Sequence, residues 1–90
     1  MSIVRRRAII RGAVQGVGFR MNARAVARRL GLSGNARNRP DGSVEVQIEG
    51  PDSAVAEMID WLRQGPRFAR VDSVTVDESE PQGDADFTVS

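Results

Sequence analysis

Seven residues near the start of the chain, Gly12-Ala13-Val14-Gln15-Gly16-Val17-Gly18, contain three glycines and are followed at once by Phe19-Arg20. Glycine reaches backbone conformations closed to other residues, so a loop of this composition can point several main-chain N–H groups at one spot. If a helix begins directly after it, the unpaired donors and the dipole of the first turn add to an anion site. Arg20 would complete the cradle with a planar fork of donors suited to phosphate oxygens. The common nucleotide loops do not fit: no Gly-Lys-Ser/Thr follows, and the glycine spacing fails the dinucleotide fingerprint. Spacing alone is equally satisfied by a tight turn beside a solvated helix charge. A second group able to orient a small polar molecule is the amide of Asn38, although an Asn three residues before Asp41-Gly42 is, by spacing, ordinary turn chemistry.

The chain offers few other tools. It has no Cys, His, Tyr or Lys, which removes disulfides, thiolate nucleophiles, imidazole bases and the usual zinc ligands together. What remains is Arg, Asn, Gln, Ser, Thr, carboxylates and main-chain N–H groups, a set suited to electrostatic stabilisation more than to covalent catalysis. Residues 1–40 hold ten arginines and no acid; residues 41–90 hold three arginines and all twelve acids. The net charge of +1 therefore hides two oppositely charged halves, and positive potential sits where an anion would bind. Ninety residues suit one domain spanning 1–90, with a small core and no room for a separate cofactor-binding unit. No apolar run approaches the ~20 residues of a membrane helix, and no signal-type segment opens the chain, so a cytoplasmic protein is expected.

These residues need scaffolding, and the hydrophobic pattern provides it. Ile3 to Arg11 reads as a first strand, with arginines on both parities and the run Arg5-Arg6-Arg7 expected to face solvent. Phe19, Ala23, Val26, Ala27 and Leu30 fall at helical spacing, with Arg20, Arg24 and Arg28 on a neighbouring stripe and Gly31 as the stop. Ser33–Asn38 and Ser43–Gly50 flank the turn Arg39-Pro40-Asp41-Gly42. In the second of these strands Val44, Val46 and Ile48 alternate with Glu45, Gln47 and Glu49, which predicts one face on a core and one in water. Asp52 or Ser53 can cap a helix carrying Val55, Met58, Ile59 and Leu62, with Trp61 beside its apolar stripe. Gly65-Pro66 ends it. Phe68 to Asp77 predicts a strand whose broken alternation suggests a bulge or an edge, and Asp86 to Ser90 a last short strand. The expectation is an α+β fold of the ferredoxin-like split βαβ type: β-α-β-β-α-β, an antiparallel sheet with two helices on one face and a short C-terminal strand.

Ile10-Arg11-Gly12-Ala13-Val14-Gln15-Gly16-Val17-Gly18-Phe19-Arg20 resembles the first signature of the acylphosphatase family at every constrained position. Gly34 to Glu45, running on to Gly50, resembles the second signature in spacing, and Gly65-Pro66 with Ala69 and Val71 a third recurrent stretch. One departure is Asn35, where the family commonly has an aromatic residue; it bears on packing more than on chemistry.

The resemblance implies hydrolysis of carboxyl phosphates without metal or cofactor. Arg20 and Asn38 become the catalytic pair, Arg20 on phosphate and Asn38 on the attacking water, and this reverses the turn reading of Asn38. Phosphate binding falls to Gln15, Gly16, Val17, Gly18, Phe19 and Arg20, with the Gln15 amide acting as a loop stabiliser. No protein base is needed, because the acyl group leaves readily and phosphate oxygens can accept the water's proton. The implied partners are a small-molecule acyl phosphate and inorganic phosphate as product and inhibitor, with no nucleic acid or membrane, for a monomer. An initiator Met on a 90-residue chain favours a free enzyme over a segment of a larger maturation protein. The alternative is a ferredoxin-like module that binds RNA or a partner without catalysis. Ten arginines in forty residues motivate it; one Trp, three Phe and no Tyr weigh against base stacking.

Overall fold

A computed structural model describes residues 2–90. The elements are β1 (Ile3–Ala13), α1 (Phe19–Arg29), β2 (Ser33–Asn38), β3 (Val44–Pro51), α2 (Asp52–Gln64), β4 (Arg70–Ser79) and β5 (Phe87–Val89). They form one five-stranded sheet in the order β4-β1-β3-β2-β5. The four long strands pair antiparallel, as their patterning predicts. The short C-terminal strand β5, whose direction the patterning leaves open, adds to the β2 edge in parallel, Gly34 against Phe87 and Ala36 against Val89, so the sheet is mixed. Three residues of local sequence carry no information about direction; the long return from β4 across the sheet sets it.

Helix and strand faces interlock as their periodicities require. Phe19, Ala23, Val26 and Ala27 of α1 and Val55, Met58 and Leu62 of α2 are buried against Ala8, Ile10, Ala36, Val44, Val46, Ile48 and Phe87 of the sheet. Trp61 is half-buried, its ring 5.6 Å from that of Phe19, which fixes the start of α1 against α2. Helix α1 ends as anticipated, with Gly31 at φ 72° and the N–H of Leu32 donating to Ala27 O at 2.8 Å. Helix α2 does not use the expected cap. Pro51 occupies the N-cap position, and neither Asp52 nor Ser53 caps the helix end with its side chain.

β4 begins at Arg70 rather than Phe68, because Pro66 to Phe68 are taken up in a turn closed by the Ala69 N–H donating to Pro66 O. It is an edge strand, and its pairing with β1 shifts register between Arg11 and Gly12. The predicted bulge or edge is thus both. The irregularity lies where β1 runs into the glycine loop, and a side chain at Gly12 would stand 2.0 Å from Arg70 O. Only glycine lets β4 approach there.

The sheet face opposite the helices is not the water-facing surface that the alternation of β3 predicts. Glu45 and Glu49 are 2% and 6% exposed, and Arg5, expected in solvent, is 1% exposed. Arg5 donates to Gln47 Oε1, to Glu49 Oε1 at 3.0 Å and to Asp84 Oδ2 at 3.1 Å. Glu49 in turn accepts the main-chain N–H groups of Gln82 and Gly83, so the segment from Glu80 to Asp86 is strapped over the face. Period-two patterning identifies the face a polar strand residue takes, but not whether a distant segment will cover it. Arg6, by contrast, pairs with the exposed Glu78 and otherwise donates only to the main-chain oxygen of Arg5. Asn35 lies on this same polar face, in register with Gln47 and Thr88, where an aromatic ring would have no core to enter.

Candidate active site

The loop joining β1 to α1 gathers the residues singled out in the sequence. Gly16 and Gly18 have φ of 75° and 77°, while no other residue type anywhere among the described residues has positive φ. The backbone sign therefore alternates through Gln15-Gly16-Val17-Gly18, the geometry that turns successive N–H groups toward one concavity. Among the described residues no main-chain or side-chain acceptor takes up the N–H groups of Gln15 to Phe19. Helix α1 starts at Phe19 with Gly18 at its N-cap, no capping side chain and no acid in the first turn. Unpaired donors and the positive end of the helix dipole thus meet at one place.

A small pocket of about 70 Å³ opens there, lined by Val14, Gly16, Gly18, Phe19, Arg20, Met21 and Asn38. Pockets for organic ligands run to roughly 300–1,000 Å³, so this one suits a compact inorganic anion or the phosphoryl end of a larger molecule. A wider groove of about 420 Å³ lies elsewhere, bordered by Glu49, Asp84 and Asp86. Its three carboxylates outnumber its one arginine, Arg28, which is already paired with Asp86, and none of the catalytic or phosphate-binding candidates lines it.

Asn38 is the last residue of β2, exposed, and paired through its backbone position with Val44. The turn that follows is not held by its amide. Asp41 holds that turn, accepting from both the N–H and the hydroxyl of Ser43, and these bonds together with Arg39 and Arg11 keep its carboxyl below the usual range. No protein partner among the described residues engages the Asn38 amide, which is left to face the pocket.

Gln15 links the two halves of the site. Its Nε2 donates to Arg39 O at 2.8 Å and to Ser43 O at 2.9 Å, tying the glycine loop to the hairpin that carries Asn38. The side chain is thereby committed to main-chain carbonyls, in keeping with its expected stabilising part, and only its N–H remains for an anion. Arg20 reaches the pocket while one guanidinium nitrogen donates to the main-chain oxygen of Ser90, just beyond β5. That contact spans 70 positions and had no local signal. Arg37 stands on the opposite face, as strand alternation predicts, where it pairs with Glu45 at 3.1 Å.

Among the described residues no group of three or more His, Cys, Asp or Glu side chains is placed to hold a metal, and no helix is long and apolar enough to cross a membrane. The positive charge at the pocket comes from Arg20 and main-chain dipoles.

Comparison with known proteins agrees with this geometry over nearly the whole chain. Residues 6–89 match the family model described as acylphosphatase. A curated acylphosphatase from Thermus thermophilus is 50% identical over 82 residues, covering 91% of this chain and 93% of its own length. The crystal structure of acylphosphatase from Bacillus subtilis superposes with a TM-score of 0.94 at 35% identity, covering 97% of this chain and 98% of that one. HypF from T. kodakarensis contains a similar unit, with a TM-score of 0.84 and 30% identity, but 97% of this chain corresponds to only 12% of it. With a family model spanning both signature stretches, and relatives of matching length at half identity, the chain belongs to the acylphosphatase family and is an enzyme of that family.

Proposed function

We propose that this chain hydrolyses carboxyl phosphates, with the phosphoryl group seated in the loop of Gln15 to Phe19, held by Arg20, and attacked by a water that the Asn38 amide orients. The observation that carries this reading is the convergence of unpaired loop N–H groups, Arg20 and an unengaged Asn38 on one phosphate-sized pocket. Water attacks phosphorus in line as the bond from phosphorus to the acyl oxygen breaks. The carboxylate departs with the electron pair, and the water's proton passes to a phosphoryl oxygen and then to solvent. Catalysis then consists of positioning and charge neutralisation, the general demands of phosphoryl transfer. A carboxylate is a good leaving group, so the protein needs no acid or base, consistent with a chain that has no His or Cys. Loop dipoles and Arg20 take the place a metal holds in most phosphoryl-transfer enzymes.

The test is the initial rate of benzoyl phosphate hydrolysis in excess chelator, with inorganic phosphate as competitor. Removing a single oxyanion-type donor costs about 3 kcal/mol, roughly a hundredfold or more in rate. Asn38→Ala is expected to lose kcat on that scale with phosphate Ki retained, and Arg20→Ala to lose both. Normal turnover by either variant would refute the assignment, and activity abolished by chelator would refute its metal-free form.

The RNA-binding alternative is less well supported. Phe87 is fully buried beneath the helices, Phe68 lies outside the strands, and the open sheet face is occupied by Glu45, Glu49 and the strap from Glu80 to Asp86. A stacking platform for bases would need aromatic rings on that face.

A further inference from the structure

We propose that Met21 forms the subsite for the acyl group and biases this enzyme toward apolar and aromatic acyl phosphates, an inference that rests on the function proposed above. The pocket of about 70 Å³ has room for the phosphoryl group alone, so the acyl part must lie across its rim. The lining residues leave little choice of contact. Val14 and Phe19 are 1% and 2% exposed and belong to the core, Gly16 and Gly18 have no side chains, and Arg20 and Asn38 are polar. Met21 is the one apolar side chain that both lines the pocket and stands open to solvent, at 52% exposure.

Met21 is absent from the hydrophobic core and from the half-buried residues packed on it, and α1 instead buries Phe19, Ala23, Val26 and Ala27. An apolar side chain of this size, left half in water beside a polar pocket, gains by covering apolar surface of a bound ligand. Methionine is suited to ligands of varied shape: it is unbranched, has three side-chain torsions, and its sulfur packs favourably against aromatic rings. The neighbouring Arg20 fixes the phosphoryl end, so selection among acyl groups falls to the next residue along the helix.

The experiment measures kcat/KM for benzoyl phosphate and for acetyl phosphate, with the Ki of inorganic phosphate, in the wild-type chain, Met21→Ala and Met21→Leu. Loss of one rim contact to an aromatic ring is expected to lower the benzoyl-to-acetyl ratio of Met21→Ala about threefold to tenfold. Met21→Leu is expected to restore most of the ratio, and phosphate Ki to shift by less than the ratio does. An unchanged ratio in Met21→Ala, or a loss shared equally by both substrates and by phosphate, would overturn the subsite. Failure of the wild-type chain to hydrolyse either substrate would instead overturn the proposed function, so the two are told apart.

Discussion

Gln15 offers the sharpest test of how the proposed site is held together, because its amide joins the glycine loop to the hairpin that carries Asn38. Gln15→Leu removes the donor while leaving a side chain of similar size. Two neutral hydrogen bonds are lost, at 2.8 and 2.9 Å. Each is worth about 1 kcal/mol net. Neither carbonyl becomes an orphan, since Arg39 O still accepts from the Gly42 N–H and Ser43 O from the Arg39 N–H. The total is therefore about 2 kcal/mol, without a further penalty for unsatisfied groups. If all of it goes into loosening the hairpin against the loop, productive alignment of the Asn38 amide falls by up to about thirtyfold. We expect kcat for benzoyl phosphate to drop between roughly threefold and thirtyfold, with phosphate Ki nearly unchanged because the loop N–H groups and Arg20 remain. A double-mutant cycle makes the reasoning strict: in an Asn38→Ala background, Gln15→Leu should cost little further rate, since the group it positions is gone. Full additivity of the two rate losses, or a Gln15→Leu variant destabilised in urea but with unaltered kcat, would refute a positioning role and leave a purely structural one.

Two further outcomes follow from the polar face of the sheet. Arg5→Met is expected to cost about 3–5 kcal/mol in urea unfolding, because Glu49 is left buried without its cation; Arg6→Ala, one residue on, should stay within about 1 kcal/mol, since its partner Glu78 is solvated. Near-equal effects would show that the burial difference does not govern this face. Burial alone would raise the Glu45 carboxyl, but hydrogen bonds from Arg37 and Gln47 and the charge of Arg7 outweigh it and hold the group at about 2. A carboxyl depressed in the folded state binds its proton more readily when unfolded, so its contribution is complete above pH ~4.5 and is lost as pH falls toward 2. Unfolding midpoints should decline over that window, by on the order of 3 kcal/mol for Glu45, and Glu45→Gln should flatten the decline; an unflattened profile would assign acid lability elsewhere.

Much of the site was legible because its signals are local. Alternating glycines between a strand and a helix dictate a concave loop of free N–H groups wherever that segment sits, and Arg20 follows them into the first helical turn. The apolar spacing of α1, α2 and β3 likewise fixed which faces meet, since periods of 3.6 and 2 leave one arrangement that buries them all. Nothing in the spacing marks Met21; what distinguishes it is exposure at the pocket, which no spacing records.

The remaining features depend on residues far apart in the chain. Arg5 and Glu49 look like surface charges until the segment from Glu80 to Asp86 folds back over them. Gln15 finds its acceptors 24 and 28 residues away, and Arg20 meets Ser90 only because β5 turns parallel onto β2. A sequence by itself states which groups are available and which face of an element each occupies. Whether such a group ends in water, in a charge network or against a ligand is decided by what packs over it, and that is settled by the tertiary structure as a whole.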